Sequence, residues 1–275
     1  MKVPEYAPKD KAPVRLEEIL RATRQALPDL YQRRAALERA LEGSRVTHPS
    51  FRAALLRPTV AVIAEVKRRS PSVGSIREDL DPGERAAVYA ANGAAAISVL
   101  TDQQFFGGSI ADLRAAVGQC SLPVLRKDFI VDELQILEAR AAGAAAVLLI
   151  VRVLGADRLE GLLRCTHELG LDALVEVHTE KELRVALDAG ASIVGVNSRD
   201  LDTFKIDVKS AWSLLGGIPR DRIAVAESGL SGQSDVLRAA EAGADAVLIG
   251  TALSAAESPE TLLRGELSQV PRRGR

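Results

Sequence analysis

The 275-residue chain is short of the residues on which metal, redox and disulfide chemistry rest, with two cysteines (Cys120, Cys165) and three histidines (His48, His167, His178). The cysteines stand 45 positions apart, outside any C-x-x-C or Cys/His grouping, and no His/carboxylate spacing suggests a ligand set. Neither a disulfide framework nor a metal site is expected. His178 reads as a helix-start or surface residue. Charge of one sign is also lacking: 36 Lys and Arg against 37 Asp and Glu leave -1. No global field gathers nucleic acid or anionic lipid, so an anionic ligand must be held locally. The longest apolar run, 141–151, is well short of the ~18 residues of a membrane helix, and no hydrophobic segment follows the N-terminal charges. The expectation is a cytoplasmic protein without a membrane or nucleic-acid partner. No P-loop, nucleophile elbow or redox motif is found. At 47% hydrophobic and 27% charged, the composition is that of a globular protein with a core, not of a disordered or collagenous chain.

What is present is a repeat. Ala-Asn-Gly-Ala at 91–94 precedes AAISVL, and Ala-Gly-Ala at 142–144 precedes AAVLLI. Ala-Gly-Ala recurs at 189–191 before SIVGVN and at 242–244 before DAVLIG. The glycines are 50, 47 and 53 residues apart. Each phrase reads as a helix stopped by a left-handed Gly and followed at once by an apolar strand, the junction typical of a parallel sheet. Weaker strands at 59–67, 123–128, 172–178 and 222–228 bring the expected total to eight. Eight βα units from about 59 to 262 match a (β/α)8 TIM barrel. The competing doubly wound sheet usually shows G-x-G-x-x-G after its first strand, where this chain has Glu65-Val66-Lys67-Arg68-Arg69-Ser70-Pro71. Residues 1–58 are expected to form an N-terminal helical extension and residues 59–275 the barrel, together one structural domain. The extension opens with Pro4, Pro8 and Pro13 and continues into helices over 16–27 and 30–41 separated by Pro28. It either caps the bottom of the barrel or covers the active end.

Barrel active sites lie at strand C-terminal ends, so polar residues there carry the information. They are Glu65 and Lys67, Thr101-Asp102, Lys127-Asp128, Glu176, Asn197 with Arg199, Glu227-Ser228-Gly229, and Gly250-Thr251. Glu65 and Lys67 are two apart and point the same way, as Val175 and Val177 point opposite to Glu176. Lysine is rare here, eight against 28 Arg, yet two of the eight stand at strand ends beside acidic partners. Desolvation can lower a lysine's pKa enough for acid-base work, whereas Arg does not readily exchange a proton. The alternative is that Lys67 and Lys127 only neutralise ligand anions. The small Ser228-Gly229 and Gly250-Thr251 ends offer unhindered N–H groups where barrels commonly hold phosphate. Phe105 and Phe106 either stack on a ligand ring or anchor their own loop. Taken together, the residues describe acid-base chemistry on a phosphorylated substrate without a cofactor.

These strand ends closely resemble the indole-3-glycerol-phosphate synthase family. IAEVKRRSPS (63–72), SVLTDQQFFGGS (98–109), LPVLRKDFIVDELQI (122–136), VEVH (175–178), GVNSRDLDTF (195–204) and AESGL (226–230) carry the likeness. The resemblance implies a carboxy-lyase of tryptophan biosynthesis. Such an enzyme closes 1-(2-carboxyphenylamino)-1-deoxyribulose 5-phosphate to indole-3-glycerol phosphate with loss of CO2 and water, using no metal or organic cofactor. On that resemblance Lys127 matches the general acid, Glu176 an acid-base carboxylate, and Glu65 and Lys67 an acid-base and substrate-holding pair. The division of dehydration between the lysines stays open. Asn197 and Arg199 match positions that orient the anthranilate part. Ser70, Phe105 and Glu227 fall in the substrate-binding set, and Ser228, Gly229, Gly250 and Thr251 in the phosphate cradle. Val73 and Thr251 depart from the family's usual residues, which leaves the side-chain share of phosphate binding open. A monomer is expected. A sugar-phosphate isomerase or a non-catalytic sensor barrel would share the cradle, but neither would need two lysines among this glutamate set.

Overall fold

The computed structural model describes residues 16–42 and 49–272. Eight parallel strands close into a barrel: β1 (Ala61–Val66), β2 (Ala96–Leu100), β3 (Val124–Lys127), β4 (Ala146–Ile150), β5 (Asp172–Val177), β6 (Ile193–Asn197), β7 (Ile223–Glu227) and β8 (Ala246–Ile249). Each pairs with its neighbours in sequence, and β1 closes on β8 through Ala61 opposite Ala246. This is the expected (β/α)8 barrel, and closure excludes the doubly wound alternative. The repeat has the expected physical cause. Gly93, Gly143, Gly190 and Gly243 all take φ between +84° and +106°, a region costly for residues with a Cβ, and there the chain turns from helix into strand.

Strand alternation separates two apolar layers. Outward residues such as Val62, Ile97, Val147 and Val194 pack under the helices, while inward residues such as Ile63, Leu125, Leu174 and Val225 fill the barrel. The same alternation carries the inward face two residues further, from Ile63 to Glu65, Leu125 to Lys127, Leu174 to Glu176 and Val225 to Glu227. A filled interior therefore ends in a polar rim at the C-terminal end of the strands.

The N-terminal helices go to both ends of the barrel. In α3 (Phe51–Leu55), Phe51 and Leu55 are wholly buried against the interior cluster. The Arg52 N–H donates to Asp172 Oδ2 at 2.9 Å, at the first residue of β5, so α3 closes the bottom. In α1 (Leu16–Gln32), Leu16 and Ile19 join Phe129, Leu201 and the half-buried Phe105, Phe106 and Val153, all of which follow strand C-terminal ends. The amphipathic stripe of α1 thus packs at the polar-rim end.

Pro28 does not separate the two helices as the sequence suggests. It lies inside α1, and the break falls at Arg33, before α2 (Arg34–Glu42). Proline removes one helix N–H, but Leu30 just beyond it is buried with Leu37 and Leu134, and tertiary packing holds the following turn. Arg33 pairs with Glu138 at 2.7 Å and the Tyr31 hydroxyl donates to Asp132, which ties this region to α7 (Glu133–Ala141). Pro4, Pro8, Pro13 and His48 lie outside the described residues.

Candidate active site

The polar rim gathers its charges in the centre. Lys67 Nζ lies 2.7 Å from Glu65 Oε1, while Lys127 Nζ lies 3.7 Å from Glu176 Oε2 and 3.8 Å from Glu227 Oε2. Glu176 and Glu227 are 1% exposed, and their four carboxylate oxygens have no hydrogen-bond partner among the described residues. Buried carboxylates are normally satisfied, so this group is built for something other than folding.

The electrostatics follow from burial and neighbours. Burial pushes the Glu65 carboxyl up, but Lys67, Lys127 and Arg199 outweigh it and hold it below the usual range. Burial works against the charge on Lys127, yet Glu176, Glu227 and Glu65 outweigh it and raise the ammonium above the ordinary lysine value. The lowered lysine pKa that desolvation alone suggests is therefore overturned at Lys127, because three carboxylates face it. Its resting form is the protonated one, the form a proton donor needs. Burial, and then the neighbouring Glu176, push Glu227 well above the carboxylate range; Lys127 only partly opposes this. Two carboxylates this close cannot both ionise freely.

Two glycines make room for these groups. A Cβ on Gly195 would stand 2.0 Å from Glu227 Oε1, and one on Gly250 would stand 2.0 Å from Glu65 Oε1. Gly250, expected from the sequence only as a phosphate contact, also clears the Glu65 carboxylate. Gly229 takes φ +72°, and its Cβ would meet Val208 Cγ2 at 2.6 Å. Ser228 before it takes φ +64°, an uncommon conformation for a non-glycine residue; its carbonyl accepts from Ser198 Oγ at 3.1 Å. Thr251 opens the short helix α12 (Thr251–Ala255) directly after Gly250.

The remaining expected residues line the approach. Arg199 donates to Ser72 Oγ and the Phe204 carbonyl, both at 3.1 Å, and burial lowers its pKa. Asn197 Oδ1 accepts the Arg199 N–H at 3.0 Å. Ser70 lies in a small hairpin, 69–70 with 74–75, that follows β1, and its Oγ accepts the Val73 N–H. Phe105 sits in α5 (Gln103–Phe106), half-buried on the interior cluster, while Phe106 faces Phe129 with ring centroids 6.3 Å apart. Two strand-end acids do other work. Asp102 caps α5, and Asp128 pairs at 3.0 Å with the outward, buried Arg126.

Sequence reasoning missed two residues. Ser254 is wholly buried; its Oγ donates to the Glu65 carbonyl at 3.0 Å and accepts the Lys67 N–H at 3.2 Å, pinning the end of β1 to α12. Nothing in the sequence distinguishes it. His178 is neither a surface residue nor the cap of α9 (Glu180–Asp188), which is Thr179. Its side chain is 7% exposed, with Nε2 3.5 Å from Glu176 Oε1. Glu176 and His178 are two apart, so the alternation that joins Glu65 to Lys67 turns both inward.

Lysines and carboxylates meeting at the C-terminal end of a closed parallel barrel define a (β/α)8-barrel enzyme of the acid-base type. Solved barrels share this fold at low sequence identity. 3-Hexulose-6-phosphate synthase from Salmonella typhimurium superposes with a TM-score of 0.58 at 16% identity, covering 74% of this chain and 95% of that one. Thiamine phosphate pyrophosphorylase from Pyrococcus furiosus gives 0.57 at 15%, covering 76% and 94%. The family profile described as indole-3-glycerol phosphate synthase matches residues 16–265. Indole-3-glycerol phosphate synthase of Nocardioides sp. is 51% identical over 253 residues, 92% of this chain and 94% of that protein. Its counterpart from Parafrankia sp. is 50% identical over 240 residues, 86% and 89%. The chain belongs to the indole-3-glycerol phosphate synthase family. Among the described residues, no helix is long and apolar enough to cross a membrane.

Proposed function

We propose that the barrel's central cluster carries out the indole-3-glycerol phosphate synthase reaction of tryptophan biosynthesis. In this reaction 1-(2-carboxyphenylamino)-1-deoxyribulose 5-phosphate closes to indole-3-glycerol phosphate and releases CO2 and water. The observation that carries this reading is Lys127 facing two buried carboxylates that have no hydrogen-bond partner among the described residues.

Ring closure brings the aromatic carbon that bears the carboxylate onto the sugar carbonyl carbon. Aromaticity is disrupted and charge grows on the carbonyl oxygen, so a fixed ammonium that delivers its proton there lowers the barrier. Lys127 has that role, and the carboxylates around it hold it in place and protonated. Losing the substrate carboxylate as CO2 restores an electron-rich ring and removes an anion from a cationic site. Glu176, whose Oε2 faces Lys127, moves protons during rearomatisation. Dehydration needs a proton donor to the departing hydroxyl and a base for a ring proton, and the 2.7 Å Lys67–Glu65 pair supplies both types of group. Asn197, Arg199, Ser70 and Phe105 orient the anthranilate end. Glu227, in contact with Lys127, completes the substrate-facing carboxylates.

The phosphate goes to the backbone of Ser228–Gly229 and Gly250–Thr251, across the barrel mouth from Lys127. Thr251→Val keeps the shape and removes the hydroxyl, so its effect on KM measures the side-chain share of binding. The substrate is a phosphorylated small molecule, and we take the protein to work as a monomer in the cytoplasm. Mixing the purified chain with the substrate should produce indole ultraviolet absorbance without added metal or nucleotide. Activity abolished by EDTA and restored by a divalent ion would contradict the mechanism, and isomerised sugar phosphate without indole would replace the function.

A further inference from the structure

The reading of Glu176 as an acid-base group leaves its second oxygen unexplained. Oε2 faces Lys127, while Oε1 points the other way, 3.5 Å from His178 Nε2. A second carboxylate lies behind the imidazole, and both contacts are ion-pair distances, since neither ring nitrogen has a hydrogen-bond partner among the described residues. Its Nδ1 lies 3.4 Å from Glu182 Oε2, and the same oxygen accepts the His178 backbone N–H at 2.7 Å. Glu182 is fixed in turn, because its N–H donates to Thr179 Oγ1 at 3.2 Å, the N-cap bond of α9. A rigid helix start therefore aims an imidazole at one oxygen of a carboxylate whose other oxygen meets the proton donor.

We propose that His178 is a positioning residue for the reaction: seated between Glu182 and Glu176, it fixes the Glu176 carboxylate by Oε1 and leaves Oε2 facing Lys127. The proposal rests on the acid-base role of Glu176 and deepens it. An unanchored glutamate can rotate about its terminal torsion, and a proton-transfer group misplaced by about 1 Å loses on the order of 10²-fold in rate. Lys127 alone would draw either oxygen; a second partner on the opposite side breaks that symmetry.

The charges agree with the geometry. Burial disfavours the imidazolium, but Glu182 and Glu176 outweigh it and raise His178 above its ordinary value, while Arg152 at the start of α8 (Val151–Glu168) opposes weakly. Around Glu176 the other facing groups are Lys127 on β3 and Glu227 on β7.

The test measures kcat and KM in His178→Gln, Glu182→Gln, Glu176→Gln and the double variant His178→Gln/Glu176→Gln. His178→Gln should lower kcat about 10-fold or more while leaving KM within about 2-fold, a split that a general loss of structure would not produce. Glu182→Gln keeps the backbone acceptor but weakens the hold on the imidazole, so it should lower kcat by less, again with KM little changed. It carries the test if His178→Gln does not fold. In the residual turnover of Glu176→Gln, adding His178→Gln should cost nothing more, because the anchor has no carboxylate left to serve. Independent, multiplying losses would overturn the proposal, and so would a KM that rises as far as kcat falls. Near-normal turnover in Glu176→Gln would instead overturn the role of Glu176 itself, whatever His178 does, and the positioning role with it.

Discussion

Gly195→Ala tests whether the carboxylates are placed by the strands around them. The new Cβ would stand 2.0 Å from Glu227 Oε1 and 3.2 Å from both Glu227 Cδ and Leu174 Cδ1. An ordinary contact needs at least about 1 Å more than the shortest of these, and the barrel interior is close-packed, so the movable part is the carboxylate. Such overpacking costs about 1–3 kcal/mol, or roughly 2–10 °C in melting temperature for a chain of this size. The catalytic effect should be larger. Glu227 Oε2 is 3.8 Å from Lys127 Nζ, and a shift of about 1 Å changes the field on the proton donor, for which a kcat loss on the order of 10²-fold is expected. The decisive comparison is the double variant Gly195→Ala/Glu227→Asp. Aspartate withdraws the carboxylate by about 1.5 Å, one carbon–carbon bond, which relieves the overlap. Melting temperature should recover towards that of Glu227→Asp while kcat stays low. Wild-type stability and turnover in Gly195→Ala, or a double variant no more stable than the single one, would refute this account of the glycine.

Lys127→Arg keeps the positive charge but holds its proton too tightly, so kcat should fall by roughly 10²-fold or more with a much smaller change in KM; near-normal kcat would move the donor role to Lys67. Removing residues 1–41 strips Leu16 and Ile19 from the active end while leaving α3 at the bottom, and should raise KM far more than it lowers the melting temperature. Normal kinetics with poor stability would make α1 a scaffold. Glu227 has a raised carboxyl in the folded state, so folding is penalised progressively as pH rises from the ordinary carboxylate range through that raised value. The melting-temperature gain of Glu227→Gln over wild type, followed by calorimetry, should therefore grow from pH 4 towards pH 9 even as activity falls. A gain that shrinks with pH would show Glu227 to be stabilised by Lys127 rather than strained.

The barrel was legible because each αβ junction repeats one chemical necessity. At Gly93, Gly143, Gly190 and Gly243 a positive-φ glycine ends a helix and an apolar strand begins at once, which marks four of the strands, and the weaker apolar runs between them mark the other four. The family motifs mark the strand ends, and alternation turns Glu65, Lys67, Lys127, Glu176 and Glu227 into one cluster. What stayed hidden depends on contacts between distant segments. Pro28 reads as a helix break, since nothing local reveals that Leu134, more than a hundred residues on, holds the next turn. Ser254 looks like any small residue of a short helix until its bonds to both sides of Val66 are seen.

His178 is a different case, because its place was accessible to the period-two argument already applied to Glu65 and Lys67. Counting two on from Glu176 turns His178 to the inward face, and a histidine just before a helix N-cap has a glutamate at the third helical position within reach of its backbone. Histidine usually stands out in a sequence as a metal ligand or nucleophile, and His178 is neither. In a site whose reactive groups are lysines and carboxylates, the better question is which charge each carboxylate oxygen faces. Applied to the four oxygens of Glu176 and Glu227, that question finds Lys127 on one oxygen of each and His178 on Glu176 Oε1. Glu227 Oε1 lies against the space left by Gly195. The two carboxylates are thus held in unlike ways, Glu176 between two cations and Glu227 by one cation and a steric gap. For Glu227, burial and the neighbouring Glu176 suppress ionisation, and the one cation it faces only partly opposes them.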